Sequence, residues 1–240
     1  MFSRSVKRVK TGIHGLDPLI EGGFPAGRTY LVCGEAGAGK TTFALQYIYS
    51  GALEDEPGVY LTIDEKPKHI VEDALSLGWD VEKLMDENKL LIAEISPYFE
   101  DVEKISVERI VDEIKSFLAQ SGAKRLAIDP LAPLILRSEK AVDPLTAEMK
   151  VRNYIRGLIH NLDELGVTTV ATSEIPTGTN RLSRYGVEEF VASGVIVLAL
   201  RRNEMGFQRE LYIRKMRGVN HSMNVYTFII QGERGIVISL

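Results

Sequence analysis

The chain has 240 residues, 45% of them hydrophobic and 26% charged, with one cysteine and a formal net charge of −4. Chains of this size bury roughly 70% of the surface their unfolded form exposes, enough for one full core without disulfides or structural metal. Cys33 alone excludes an internal bridge and a cysteine-rich zinc site and favours a reducing compartment. Apolar runs such as Val195 to Leu200 fall far short of the roughly 20 residues of a membrane span. No apolar segment follows the basic stretch up to Thr11, so neither membrane nor secretory targeting is expected, and the cytoplasm is the expected location. In that stretch Arg4, Lys7, Arg8 and Lys10 read as a solvated tail, with contact to phosphates as the alternative.

Hydrophobic periodicity alternates between two and 3.6 residues. The first strand is the apolar run Tyr30 to Cys33, followed by a glycine-rich segment and a helical pattern through Phe43, Ala44, Tyr47 and Ile48. Val59 to Ile63, Leu90 to Ile92, Leu126 to Ile128 and Val167 to Ala171 are further short, nearly continuous apolar runs, the mark of strands buried on both faces of a parallel sheet. A turn led by Pro67 is expected after the second run. Two helical stripes lie between the later strands. One runs through Val107, Ile110, Val111, Ile114, Phe117 and Leu118, the other through Val151, Tyr154, Ile155, Leu158, Ile159, Leu162 and Leu165. Beyond Ala192 the runs Val195 to Leu200, Glu210 to Lys215, Val225 to Ile230 and Ile236 to Leu240 follow closely and read as antiparallel. The expected fold class is α/β, one domain over residues 1–240, with a central mostly parallel sheet flanked by helices and antiparallel strands at the C-terminal end. The polar stretches Arg137 to Asp143 and Glu174 to Tyr185 are long enough to be functional loops.

Gly34-Glu35-Ala36-Gly37-Ala38-Gly39-Lys40-Thr41 satisfies the phosphate-loop (Walker A) pattern of Gly, four residues, Gly, Lys and Ser or Thr, and lies between a strand and a helix. Glycines let successive backbone N–H groups curl around phosphate oxygens, so Gly34, Ala36, Gly37, Ala38 and Gly39 are the expected cradle. The helix N-terminus adds partial positive charge. Lys40 is expected to neutralise the β and γ phosphates of ATP, Thr41 to ligate Mg²⁺, and Thr42 to add a phosphate contact.

Asp129 closes the run Leu126 to Ile128, where a phosphate-loop enzyme places the acid that holds Mg²⁺ directly or through water. Before Pro130 it also suits a helix N-cap. Asp64 and Glu65 close the run Val59 to Ile63, and acids at that edge of a parallel sheet face the ligand crevice. One of them is the candidate to orient and deprotonate the attacking water, and the sequence leaves open which. Neighbouring carboxylates rarely share one role, because repulsion drives their pKa values apart.

Several ordered segments together resemble the KaiC family of RecA-like P-loop ATPases. They are Thr11 to Asp17 with Gly22 to Pro25, Leu61 to Glu65, Ser76 to Asp80, Thr172 to Glu174, Ser183 to Phe190, and Lys215 to His221. The likeness is to a single domain, whereas the family's clock proteins carry two in tandem. It implies a homohexameric ring with ATP between subunits. In that arrangement Lys215 and Arg217, flanking Met216, reach the γ-phosphate of a neighbour's nucleotide, where cations stabilise the charge that develops in phosphoryl transfer. The resemblance also puts His221 close to the nucleotide and Ser76 near its base. By spacing alone, Lys215 and Arg217 are one solvent face of a strand. Charge asymmetry reads either as two solvated faces or as a head-to-tail contact between subunits: 18 acidic residues stand against six basic ones between Glu54 and Glu113, and eight basic against four acidic from Arg181 to Arg217.

Three departures from the family pattern bear on function. Pro130 stands where relatives often carry Ser, and Asp64 where they carry a longer Glu. Val187 to Phe190 offers no Ser or Thr at the place phosphorylated in the second half of the clock protein, so autokinase activity is not expected. The function expected is an ATP-binding, Mg-dependent, ring-forming ATPase (a hydrolase) whose nucleotide state governs assembly and protein-partner contacts. One alternative is a recombinase-like module binding nucleic acid through Arg137, Lys140, Arg181 and Arg184, though few aromatics accompany them for base stacking. The other is a nucleotide-gated scaffold with little turnover.

Overall fold

The computed structural model describes residues 6–95, 106–134, 144–176, 178–179, 181–204 and 206–240. The ribbon β1 (Arg8–Val9) with β2 (Phe24–Pro25) opens it. Arg8 ties this ribbon together, donating to the Ile20 and Gly23 carbonyls, each at 2.9 Å, and pairing with Glu21. Arg8 is therefore structural and not part of a solvated tail; Arg4 lies outside the described residues.

The main sheet has nine strands: β3 (Thr29–Gly34), β4 (Gly58–Thr62), β5 (Leu90–Glu94), β6 (Arg125–Asp129), β7 (Thr168–Glu174), β8 (Gly194–Asn203), β9 (Gly206–Met216), β10 (Val225–Gln231) and β11 (Gly235–Ile238). Their order is β11-β10-β9-β8-β3-β7-β6-β4-β5. β3 to β8 run parallel, and β9, β10 and β11 are antiparallel. The expectation that every strand after Ala192 is antiparallel is corrected at β8. That strand lies parallel to β3 on one side and antiparallel to β9 on the other. The chain leaves β7 at its C-terminal edge and returns across the sheet before residue 194, so β8 enters in the direction of β3.

Strand alternation sorts the core into two layers. Tyr30, Val32, Tyr60, Ala127, Val170 and Ile196 face α1 (Lys40–Leu53), α2 (Pro67–Ser76) and α3 (Val81–Asp86). Leu31, Cys33, Val59, Leu61, Leu126 and Ile128 face α4 (Val107–Ser121) and α5 (Pro144–Glu164). The predicted stripes are the buried faces of α4 and α5: Ile110, Val111, Ile114 and Leu118 on the first, Ile155, Leu158, Ile159 and Leu162 on the second. Each fully buried Leu, Ile or Val contributes about 1.5–3 kcal/mol. Pro67 starts a ten-residue helix and does not lead a simple turn, because a first-turn residue has no intrahelical N–H bond to lose.

Among the described residues the buried charged side chains are Arg125, Asp129 and Glu188. Arg125, 1% exposed, donates twice to Glu56 Oε2 at 2.9 and 2.7 Å and once to the Tyr47 carbonyl, and its guanidinium lies 4.9 Å from the Tyr47 ring centroid. Gly51 makes room for it: a Cβ there would come within 2.3 Å of Arg125 Nε.

Candidate active site

The phosphate loop leaves the C-terminal end of β3 and enters α1, where Gly37 and Gly39 take φ of 78° and 106°, conformations that a side chain disfavours. A Cβ on Gly34 would meet the Leu198 carbonyl at 2.6 Å, so the smallest residue is required there too. No side chain caps α1, and its first turn holds no acid. Its first N–H groups and positive dipole end are thus left to an anion. Lys40 Nζ donates to the Glu35 carbonyl at 2.9 Å, and burial lowers its pKa although Asp129 and Glu174 pull the other way.

Asp129 ends β6, is 8% exposed, and accepts the Tyr60 hydroxyl on Oδ2 at 2.5 Å and the Thr172 hydroxyl on Oδ1. Its carboxylate is therefore anchored to neighbouring strands, and the alternative N-cap role is not what the side chain does. The peptide bond to Pro130 is cis. Asp64 and Glu65 follow β4 on a loop pinned by Thr62, whose hydroxyl donates to the Glu65 carbonyl at 2.7 Å and accepts the Glu65 N–H at 3.2 Å. Both carboxyls are held above their ordinary range, first by desolvation and next by the charge of Asp129.

These elements converge. Ala36, Lys40, Thr41, Asp64, Glu65, Asp129 and Glu174 line one cavity of about 190 Å³, together with Thr62, Ile70 and Pro130. Thr41 and Asp129 among its lining supply a hydroxyl and a carboxylate, a hard-oxygen donor set suited to Mg²⁺, which is commonly held by one or two carboxylates plus substrate phosphates. Among the described residues no cluster of three His, Cys, Asp or Glu offers a phosphate-free metal site. Glu174, Tyr60 and Thr172 were not singled out for roles by sequence. The available signal was a polar Thr-Ser-Glu ending an apolar strand. A larger cleft of about 520 Å³, between the Lys10 to Pro18 segment and the β10–β11 turn, contains no phosphate-loop residue.

The remaining predicted residues lie elsewhere. Lys215 pairs in register with Val195, which pairs with Leu31, three residues and so roughly 10 Å before Gly34 along the sheet. A bulge between Val195 and Ile196 re-aims this part of β9. Lys215 Nζ donates to the carbonyls of Glu189 at 2.7 Å and Phe190 at 3.2 Å, and Arg217 Nη2 to that of Phe190 at 2.7 Å. Those carbonyls belong to the short helix α6 (Glu188–Val191), and both cations line an open concavity of about 630 Å³. Desolvation, then Arg217, lowers the Lys215 pKa to about 8. The Met216 side chain is buried in the core and is not available to a ligand. His221 faces the Ser222 carbonyl through Nδ1 at 2.9 Å. Ser76 lies at the far end of α2, roughly 15 Å from the end nearest Glu65, beside the turn where the Glu233 N–H donates to the Leu77 carbonyl at 2.6 Å. Trp79 donates to the Glu233 carbonyl and stacks on Tyr49, a core role. Arg184 is 3.9 Å from Glu174, and Arg181 is exposed; Arg137, Lys140 and the Arg137 to Asp143 loop lie outside the described residues.

A glycine-rich loop at a helix N-terminus, a lysine and an oxygen pair suited to a metal meet at one sheet edge, the arrangement of the P-loop proteins of RecA-like fold. Residues 9–240 match the KaiC ATPase family profile, and the chain belongs to that family. It is 38% identical over 237 residues to the circadian clock oscillator protein KaiC of Prochlorococcus marinus subsp. pastoris, covering 97% of this chain and 45% of that protein. Against KaiC of Synechococcus elongatus it is 36% identical over 239 residues, covering 98% and 44%. The chain thus spans about half the length of the curated relatives it matches. The crystal structure of a KaiC-like protein from Pyrococcus horikoshii aligns with a TM-score of 0.83 and 43% identity, covering 98% of this chain and 100% of that one. Among the described residues no helix is long and apolar enough to cross a membrane.

Proposed function

We propose that residues 1–240 act as one Mg-dependent ATPase unit that assembles into a homohexameric ring, with ATP bound between subunits and nucleotide state governing assembly and partner contacts. The observation that carries this reading is the convergence of Lys40, Thr41, Asp129 and Glu65 on one cavity at the mouth of the phosphate loop. The loop and the α1 N-terminus hold the phosphates, and Lys40 exchanges the Glu35 carbonyl for phosphate oxygens. Thr41 and Asp129 would hold Mg²⁺, which when bound offsets phosphate charge. Glu65 takes a proton from water as its oxygen attacks the γ-phosphorus, while the bond from that phosphorus to the β–γ bridging oxygen breaks and ADP leaves with the electron pair; a raised pKa brings a carboxylate closer to the operating pH. The placement of Lys215 and Arg217 in an open concavity, away from their own phosphate loop, supports delivery to a neighbouring subunit, where developing charge rewards a nearby cation.

Subunit mixing tests this reading. Lys40→Ala chains should lose binding of a fluorescent ATP analogue while keeping their fold, and Arg217→Ala chains should bind it but hydrolyse poorly. Combined in verified mixed hexamers, the two should regain part of the activity, since some interfaces hold a complete site. Absence of rescue would assign Arg217 to its own subunit or to no catalytic role.

A further inference from the structure

Glu188 is fully buried at the start of α6, and the partners found for its carboxylate are hydrogen-bond donors rather than a cation. The Val187 N–H donates at 3.1 Å, the Tyr185 N–H at 3.2 and 3.3 Å to the two oxygens, and Ser173 Oγ at 3.4 Å, while Ser183 Oγ, 2.6 Å away, divides its one hydrogen between Glu188 and the Glu189 carboxylate. A buried carboxylate is costly unless such bonds are all made, so a place that needed only filling would favour an apolar side chain. Two sites meet at this one. On one side Ser173 stands in β7 between Thr172, which donates to Asp129, and Glu174, which lines the phosphate cavity. On the other, the next two carbonyls after Glu188 receive Lys215 and Arg217. α6 has only four residues, so these carbonyls follow wherever Glu188 is held.

We infer that Glu188 is a positioning residue for Lys215 and Arg217, and that its bond to Ser173 links a subunit's own phosphate cavity to the cations it presents to its neighbour. This rests on the trans role of those cations proposed above. When the Asp129 and Thr172 region adjusts to bound nucleotide, Ser173 shifts with its strand, and the α6 carbonyls move with Glu188. Adjacent sites are then coupled through hydrogen bonds that touch neither nucleotide.

The test uses the full chain with two readouts, steady-state ATP hydrolysis and binding of a fluorescent ATP analogue. Ser173→Ala and Glu188→Gln are each made alone and in the Arg217→Ala background. Each single change should lower kcat about fivefold or more, with KM and analogue affinity nearly unchanged. Adding either change to Arg217→Ala should cost clearly less than it does alone, because the part of its effect that runs through Arg217 is already gone and only the part through Lys215 remains, a non-additivity that general loosening of the fold would not produce. Should Glu188→Gln fail to fold, Ser173→Ala decides alone, since it removes one hydroxyl, which also accepts the Arg184 N–H at 3.0 Å, and leaves the other Glu188 donors in place; the non-additivity with Arg217→Ala separates the Glu188 link from the loss at Arg184. Parental kcat in the foldable single variants, or losses that multiply in full with that of Arg217→Ala, overturns the positioning role while leaving the trans reading intact. Parental turnover in Arg217→Ala itself overturns the trans reading and the positioning role with it.

Discussion

Tyr60 donates its phenolic hydrogen to Asp129 Oδ2 at 2.5 Å, with both groups buried and on adjacent parallel strands. With Thr172 on the other oxygen, the acid at the edge of the cavity is held from both sides before any ligand arrives. Burial and the charge of Asp129 keep the Tyr60 hydroxyl protonated far above neutrality. Tyr60→Phe leaves a buried carboxylate one donor short, and should lower unfolding free energy by about 1.5–3 kcal/mol. Urea unfolding with an unchanged slope would report it as a pure stability loss.

The three carboxylates should separate by kind of defect. Glu65→Gln keeps shape but cannot accept the water's proton, so Mg-ATP binding and assembly should survive while hydrolysis falls about 10²- to 10⁴-fold. Asp64→Asn should cost less, and Asp129→Asn should raise the Mg²⁺ concentration needed for half-maximal rate. Titrating Mg²⁺ and ATP separately distinguishes them. A dead Asp64→Asn beside a fully active Glu65→Gln would move the base to Asp64.

Lys215 should give turnover an alkaline limb. Its pKa near 8 in the folded chain means that kcat/KM falls as pH rises through about 8, where the cation is lost. Lys215→Arg keeps its charge and should remove that limb. Stability runs the other way. The unfolded lysine titrates near 10.5, so between about 8 and 10.5 the unfolded chain binds more protons and stability rises with pH. Below about 8 the unfavourable buried charge is fully present. Rate and urea midpoint, followed across pH 7 to 10.5, should therefore diverge.

Glu56→Ala strands the Arg125 guanidinium inside the α1 layer. The Glu56 side chain is 29% exposed, so the loss should fall toward the lower end of the roughly 3–5 kcal/mol of a broken buried pair. Thermal unfolding measures it, and ATP affinity should stay unchanged because neither residue lines the phosphate cavity.

Local information carried much of the site. The phosphate loop is legible because glycine spacing, Lys40 and Thr41 are adjacent in the chain and their chemistry requires that adjacency. Asp129 was legible as the last residue of an apolar run, and α4 and α5 by their stripes. Tyr60, Thr172 and Glu188 were not legible, since each acts through a partner that only strand order brings near. The direction of β8 escaped for the same reason: its residues satisfy a parallel neighbour on one side and an antiparallel one on the other, and composition encodes neither.

Side-chain alternation and backbone permissiveness are short-range properties, so the buried strands and helical faces, the phosphate loop and the acids at two strand ends can all be read from neighbouring residues. Long-range packing sets which strands lie side by side, which hydroxyls hold Asp129, and that Lys215 and Arg217 rest on α6 instead of reaching their own phosphate loop. Those outcomes depend on packing two apolar layers against one sheet, and the contacts that settle them join residues far apart in the chain.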